Sequence, residues 1–105
     1  MRSSIGCTRV TFEYSRVVGP KSNHGGVTLR FGPATEFAFR SSARWPAGDD
    51  YTAFVERGVR SALESRGVLD QHDCTLEAIT WNDVDSCAVG FERAARAATI
   101  GLLES

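Results

Sequence analysis

In three stretches between residues 8 and 40 apolar side chains recur at every second position, and in the helical stretches after residue 51 at every third or fourth. That change of period constrains the fold most. A step of two lines up one face of a strand, and a step of 3.6 lines up one face of a helix. Thr8, Val10, Phe12 and Tyr14 share one side of an extended segment, with Arg9, Thr11, Glu13 and Ser15 on the other. The pattern predicts a half-buried strand over 8–18, ended by Gly19-Pro20 because proline brings no N–H to a ladder. A polar connection, Lys21-Ser22-Asn23-His24-Gly25-Gly26, is expected next. Val27, Leu29 and Phe31 then alternate with Thr28 and Arg30 in a second strand stopped by Gly32-Pro33. Phe37 and Phe39 alternate with Glu36, Ala38 and Arg40 in a third. Such short connections favour an antiparallel meander.

After Trp45-Pro46-Ala47-Gly48 the period lengthens. Asp49 or Asp50 is placed to cap a helix, since a short carboxylate accepts the free N–H groups of a first turn. Tyr51, Phe54, Val55, Val59, Ala62 and Leu63 form its apolar face to about Ser65. Glu56–Arg60 and Arg60–Glu64 are i,i+4 pairs on its wet side, and Arg66-Gly67 is its stop. Cys74 to Trp81 reads as a fourth strand. Asp85 or Ser86 is expected to cap a second helix whose stripe is Ala88, Phe91, Ala95, Ala98 and Leu102. The order β-β-β-α-β-α, without repeat or linker, predicts one α+β two-layer sandwich over 1–105: a four-stranded sheet with two helices on one face.

Composition excludes more than it assigns. No apolar run approaches the ~18 residues that span a bilayer, and no apolar stretch follows Arg2 to make a secretory signal. A cytoplasmic location is expected. Cys7, Cys74 and Cys87 are odd in number and lack C-x-x-C spacing, which argues against a disulfide framework or zinc knuckle. The net charge is −1 but unevenly spread: residues 1–45 carry seven cations and two acids (+5), residues 46–105 five cations and eleven acids (−6). If the halves separate in space, the molecule is electrostatically two-sided.

The motifs give no catalytic constellation. Gly19-Pro20-Lys21-Ser22 lacks the spacing of a phosphate-binding loop and has no helix behind it, so no nucleotide is expected. His72-Asp73-Cys74 would need two further ligands to hold a metal. Ser86 beside Cys87 has no histidine nearby in sequence to activate it. No metal or cofactor is expected, and the chain reads as a non-enzyme. Two polar connections remain, 19–26 and 81–86. Trp81 either stacks on a base or packs half-buried at the end of its strand.

Across nearly its whole length the chain resembles domain IV of translation elongation factor G. Ile5-Gly6 before Val10-Thr11-Phe12 is similar to the entry into that domain's first strand. The run Ala53-Phe54-Val55-Glu56-Arg57-Gly58-Val59-Arg60-Ser61-Ala62-Leu63-Glu64 is like the first-helix motif A-V-E-x-G-[IV]-R-x-A-L-E. Val84-Asp85-Ser86-Cys87 is like V-D-S-S at the second helix, continuing into Phe91-Glu92-Arg93-Ala94-Ala95-Arg96, and Leu102-Leu103-Glu104 resembles the exit. Gly58-Val59-Arg60 and Asp73-Cys74 are also similar to the tetracycline ribosomal protection branch.

The resemblance implies the ribosomal protein S5 domain 2-like fold, with a left-handed β-α-β crossover against the usual rule. It implies non-catalytic binding to small-subunit ribosomal RNA, because the family's domain IV mimics a tRNA anticodon arm and aids translocation. Two tip loops would make the contacts. The first, typically S-G-G-R-G-Q-Y-G-H-V, is shortened here to Lys21-Ser22-Asn23-His24-Gly25-Gly26-Val27, and in the second Asn82 replaces the histidine of H-x-V-D-S. Lys21, Ser22, Asn23, His24, Gly25, Asn82 and Asp83 are the contact residues so implied. The family's GTPase domain has no counterpart, so the resemblance implies either an excised piece or a free-standing relative. The rival readings are a protein-interaction or regulatory module on the same fold, and a fragment of a ribosomal protection-type protein.

Overall fold

Alternation in the first third of the chain produces one long hairpin. In the computed structural model, which describes residues 8–18, 21–46, 49–81 and 86–104, β1 (Thr8–Val18) and β2 (Lys21–Pro33) pair antiparallel from Thr8↔Phe31 to Val18↔Lys21. The stretch 21–26 is therefore strand and not a loop. Glycine weakens a strand only where a side chain is needed, and here Gly25 and Gly26 sit opposite Tyr14 and Glu13 within the ladder. Only Gly19-Pro20 separates the two strands.

The remaining elements are β3 (Phe39–Ser41), α1 (Thr52–Ser65), a single 3-10 turn at Leu69–Gln71, β4 (His72–Thr80) and α2 (Ala88–Glu104). The order β-β-β-α-β-α and the α+β sandwich stand as expected from sequence. The meander does not. The sheet runs β1-β2-β4-β3, with β4 antiparallel to β2 and parallel to β3. Burial explains the exchange: Cys74 and Leu76 of β4 are sealed and suit a central position, whereas the three-residue β3 is half-exposed and suits an edge.

The halves do not separate in space, so the condition for a two-sided molecule is not met: β4, from the acidic half, lies between β2 and β3 of the basic half. The register steps from Thr28↔Ala78 to Leu29↔Leu76, leaving Glu77 as the extra residue of a bulge. That step lets both Leu76 and Ile79 pack on the core. Glu77 joins Arg9 (Nε to Oε1, 2.6 Å) and Arg30 (Nε to Oε2, 3.0 Å). Arg40 lies 3.8 Å from Asp73.

The core is Val27, Leu29 and Phe31 from β2, Cys74 and Leu76 from β4, Val55, Val59 and Leu63 from α1, and Phe91, Ala94, Ala95 and Ala98 from α2. The stripe expected on α2 is buried at Phe91, Ala95 and Ala98 and half-buried at Ala88 and Leu102. Gly58 of α1 lies against the backbone of Glu92 and the Cβ of Ala95, so the helices meet where both residues are small. Tyr51, not Asp49 or Asp50, stands at the N-cap of α1 and makes no side-chain cap; Asp50, one residue further out, accepts the first helical N–H, that of Thr52, through Oδ1 (2.9 Å). Gly67 takes φ +70, and Val68 and Gly67 donate to Leu63 and Glu64, a complete Schellman stop.

Candidate functional site: the hairpin end

Beyond Gly26↔Thr80, β4 leaves the sheet, and the hairpin continues with β1 alone as its ladder partner. What replaces β4 there is the segment entering α2: Ser86 forms an isolated parallel bridge with His24. His24 of 19–26 and Ser86 of 81–86, one residue from each of the two segments singled out in the sequence, thus meet here.

His24 is the centre of that meeting. It shares strand parity with Gly26, Thr28 and Arg30, so its ring lies on the same face as Glu13. Nε2 is 2.5 Å from Glu13 Oε2, and Nδ1 is 3.3 Å from Ser86 Oγ. With Nε2–H donating to the carboxylate, Nδ1 accepts from the hydroxyl. The His24 carbonyl accepts the Cys87 N–H (3.3 Å). Carboxylate, imidazole and hydroxyl in that order have the composition of a proton relay. Here the ring is buried (7% exposed) and its backbone is pinned to the start of α2, so the contacts act as a tether.

Two glycines make the tether possible. A Cβ on Gly25 would lie 2.5 Å from the Gly90 carbonyl carbon and the Phe91 nitrogen, and one on Gly90 would collide with the backbone of His24. Hairpin and helix touch backbone to backbone. Of the two caps expected for α2, Asp85 lies outside the described residues; at the helix start Cys87 Sγ accepts the Gly90 N–H (3.4 Å), and the Cys87 carbonyl accepts that of Phe91 (3.1 Å).

An aromatic cluster seals the base of this end. Trp81 stacks on Phe91 (5.7 Å between centroids, 20° between planes) and on Tyr51 (6.0 Å, 21°). Trp45 meets Phe91 edge-on at 4.9 Å and donates Nε1–H to Thr52 Oγ1 (3.0 Å). Trp81 is therefore packed against protein rings, which settles its two readings in favour of packing.

Of the implied contact residues, His24 and Gly25 are buried where the hairpin meets the start of α2, and they hold that contact together. Lys21, Ser22 and Asn23 pair through their backbone with Val18, Val17 and Arg16, and their side chains lie outside the described residues. Asn82 and Asp83 lie outside them entirely, as does Asp85. Glu13, Ser86 and Gly90 are site residues that the motif reading missed. Parity carried on through 21–26 would have aligned His24 with Glu13, and a glycine inside a helical pattern signals close packing.

Elsewhere, burial first and Asp73 second push the Cys74 thiol up to about 12, far from a reactive thiolate. Among the described residues no three His, Cys, Asp or Glu side chains gather to hold a metal, and no helix is long and apolar enough to cross a membrane.

No family model matches the sequence, and no curated protein matches it. A crystal structure of a protein from Thermus thermophilus is similar over 92% of this chain, with TM-score 0.78 and 24% identity. The fold is shared. The match occupies 16% of that protein, so this chain spans about one sixth of its structural relative.

Proposed function

We propose that the chain is a non-catalytic module that binds small-subunit ribosomal RNA through its hairpin end, in the manner of domain IV of elongation factor G. The observation that carries the reading is the bridge between His24 and Ser86, one residue from each of the two resembling segments, in a molecule 49 Å long and 26 × 21 Å across. A long, narrow body suits insertion into an RNA cleft. Lys21, Ser22, Asn23, Asn82 and Asp83 make the contacts in this reading, with Lys21 on phosphate. His24, Gly25, Glu13 and Ser86 hold the platform. The work is done in the cytoplasm, with no nucleotide bound by this chain.

Cosedimentation with purified 30S and 50S subunits over a salt series tests the proposal. Saturable binding to 30S that weakens with salt supports it. Equal or absent binding to both subunits at low salt rejects it and favours the protein-interaction reading.

A further inference from the structure

β1 is an edge strand. The sheet order gives it β2 on one side and, among the described residues, no strand on the other. An open ladder of this length is a template for another strand. Phe12, in the middle of that edge, is 37% exposed; Val89 is the other exposed large apolar side chain among the described residues. Beside the edge, between β1 and α2, runs a groove of about 490 Å³ lined by Tyr14, Ala97 and Ile100 together with Glu92, Arg93 and Arg96. We propose that β1 pairs antiparallel with β1 of a second copy, with Thr11 facing Thr11 across a two-fold axis.

The register follows from symmetry and charge. A continuous sheet must match core-facing residues with core-facing residues, so the axis moves in whole residues along the strand. Centred on Thr11, it sets Arg9 opposite Glu13 twice, Val10 opposite Phe12 twice and Thr8 opposite Tyr14. Opposite charges and aromatic–aliphatic pairs are the stabilising cross-strand combinations. Centred on Phe12, the axis sets Arg9 opposite Ser15 and Glu13 opposite Thr11. Centred on Glu13, it sets the two carboxylates face to face. Centred on Val10, it leaves Arg9 opposite Thr11.

The charged groups are placed to take a new partner. The Arg9 and Glu13 side chains are 63% and 56% exposed. Arg9 engages Glu77 through Nε and one Nη, and Glu13 engages His24 through Oε2. Ala97 and Ile100 are the aliphatic part of the groove's lining, beside Glu92, Arg93 and Arg96. The interface leaves both hairpin ends free and pointing in opposite directions, so it is compatible with RNA binding and independent of it.

Multi-angle light scattering and sedimentation over a concentration series test the proposal. The wild-type chain should be a dimer that dissociates on dilution. Arg9→Glu and Glu13→Arg should each raise the dissociation constant at least about tenfold, because each sets like charges opposite at both positions. An equimolar mixture of the two variants should recover the dimer, since only the mixed pair places opposite charges at both. Glu13 also holds His24, so a second readout is kept independent of it. In a Cys7→Ser background, Thr11→Cys should cross-link on mild oxidation and Ser15→Cys should not. A wild-type chain monomeric throughout, a mixture that stays monomeric while both variants are folded, or a Thr11→Cys variant that fails to cross-link would each overturn the proposal.

Discussion

At Leu29 the sheet meets the helices through side chains that are apolar and sealed. A few residues nearer the turn, at His24, it meets them backbone to backbone, through Gly25 and Gly90, with Glu13 and Ser86 as polar partners. Apolar burial is non-directional and tolerates exchange if volume is kept. Backbone contact at a glycine tolerates nothing larger. The base of the sheet is thus held by amount, and the hairpin end by fit. An end held by fit keeps His24 and Ser86 in a fixed relation without apolar side chains between them.

Mutations sharpen that contrast. Leu76→Ala, at the base, should have the largest effect, about 2–5 kcal/mol in urea denaturation. The contrast breaks if it selectively frees the hairpin end while global stability holds. Gly90→Ala should cost about 1–3 kcal/mol by overpacking and should speed amide exchange over residues 22–26 first. Gly101→Ala, in the same helix with open space around it, should instead gain about 0.5–1 kcal/mol. Equal gains at both glycines would mean that helix propensity, and not the close approach to His24, governs the site.

Titration separates the regions by smaller effects. The folded thiol of Cys74 is pushed up to about 12 from 9.0. A raised value means stability is full below the unfolded value and lost as pH rises toward the folded one. The loss should be roughly 1 kcal/mol at pH 10, and Cys74→Ala should flatten this alkaline slope relative to its own neutral stability. On the outer face, hydrogen bonding from Arg9 and its charge hold the Glu77 carboxyl below the usual range. Its contribution is present above the unfolded value and lost as pH falls through the folded one. Glu77→Gln should shallow the acid limb of a stability profile below about pH 4.5, the smallest effect of the series.

The same contrast explains what the sequence disclosed. Strand β1, helix α1 and its Schellman stop at Gly67 were legible because each rests on local periodicity or local backbone chemistry. The place of β4 was not, because strand order depends on which segment best tolerates burial on both ladders, a comparison between Leu76 and Phe39 that alternation does not make. The stretch 21–26 read as a loop because its polarity and glycines are turn signals. It is a strand because Glu13 and Ser86, far apart in sequence, satisfy His24. Charge sums by halves failed for a related reason: chain order is not spatial order once β4 enters between β2 and β3.

The central claim is that the hairpin end, not the base of the sheet, meets RNA. The most direct measurement is the slope of log binding constant against log salt for 30S subunits, compared between Lys21→Ala at the tip and Arg40→Ala at the base. The account predicts that Lys21→Ala lowers the slope by about 0.7–0.9, the loss of one phosphate contact, while Arg40→Ala leaves it unchanged. Equal slopes for wild type and Lys21→Ala, or a change confined to Arg40→Ala, would contradict it.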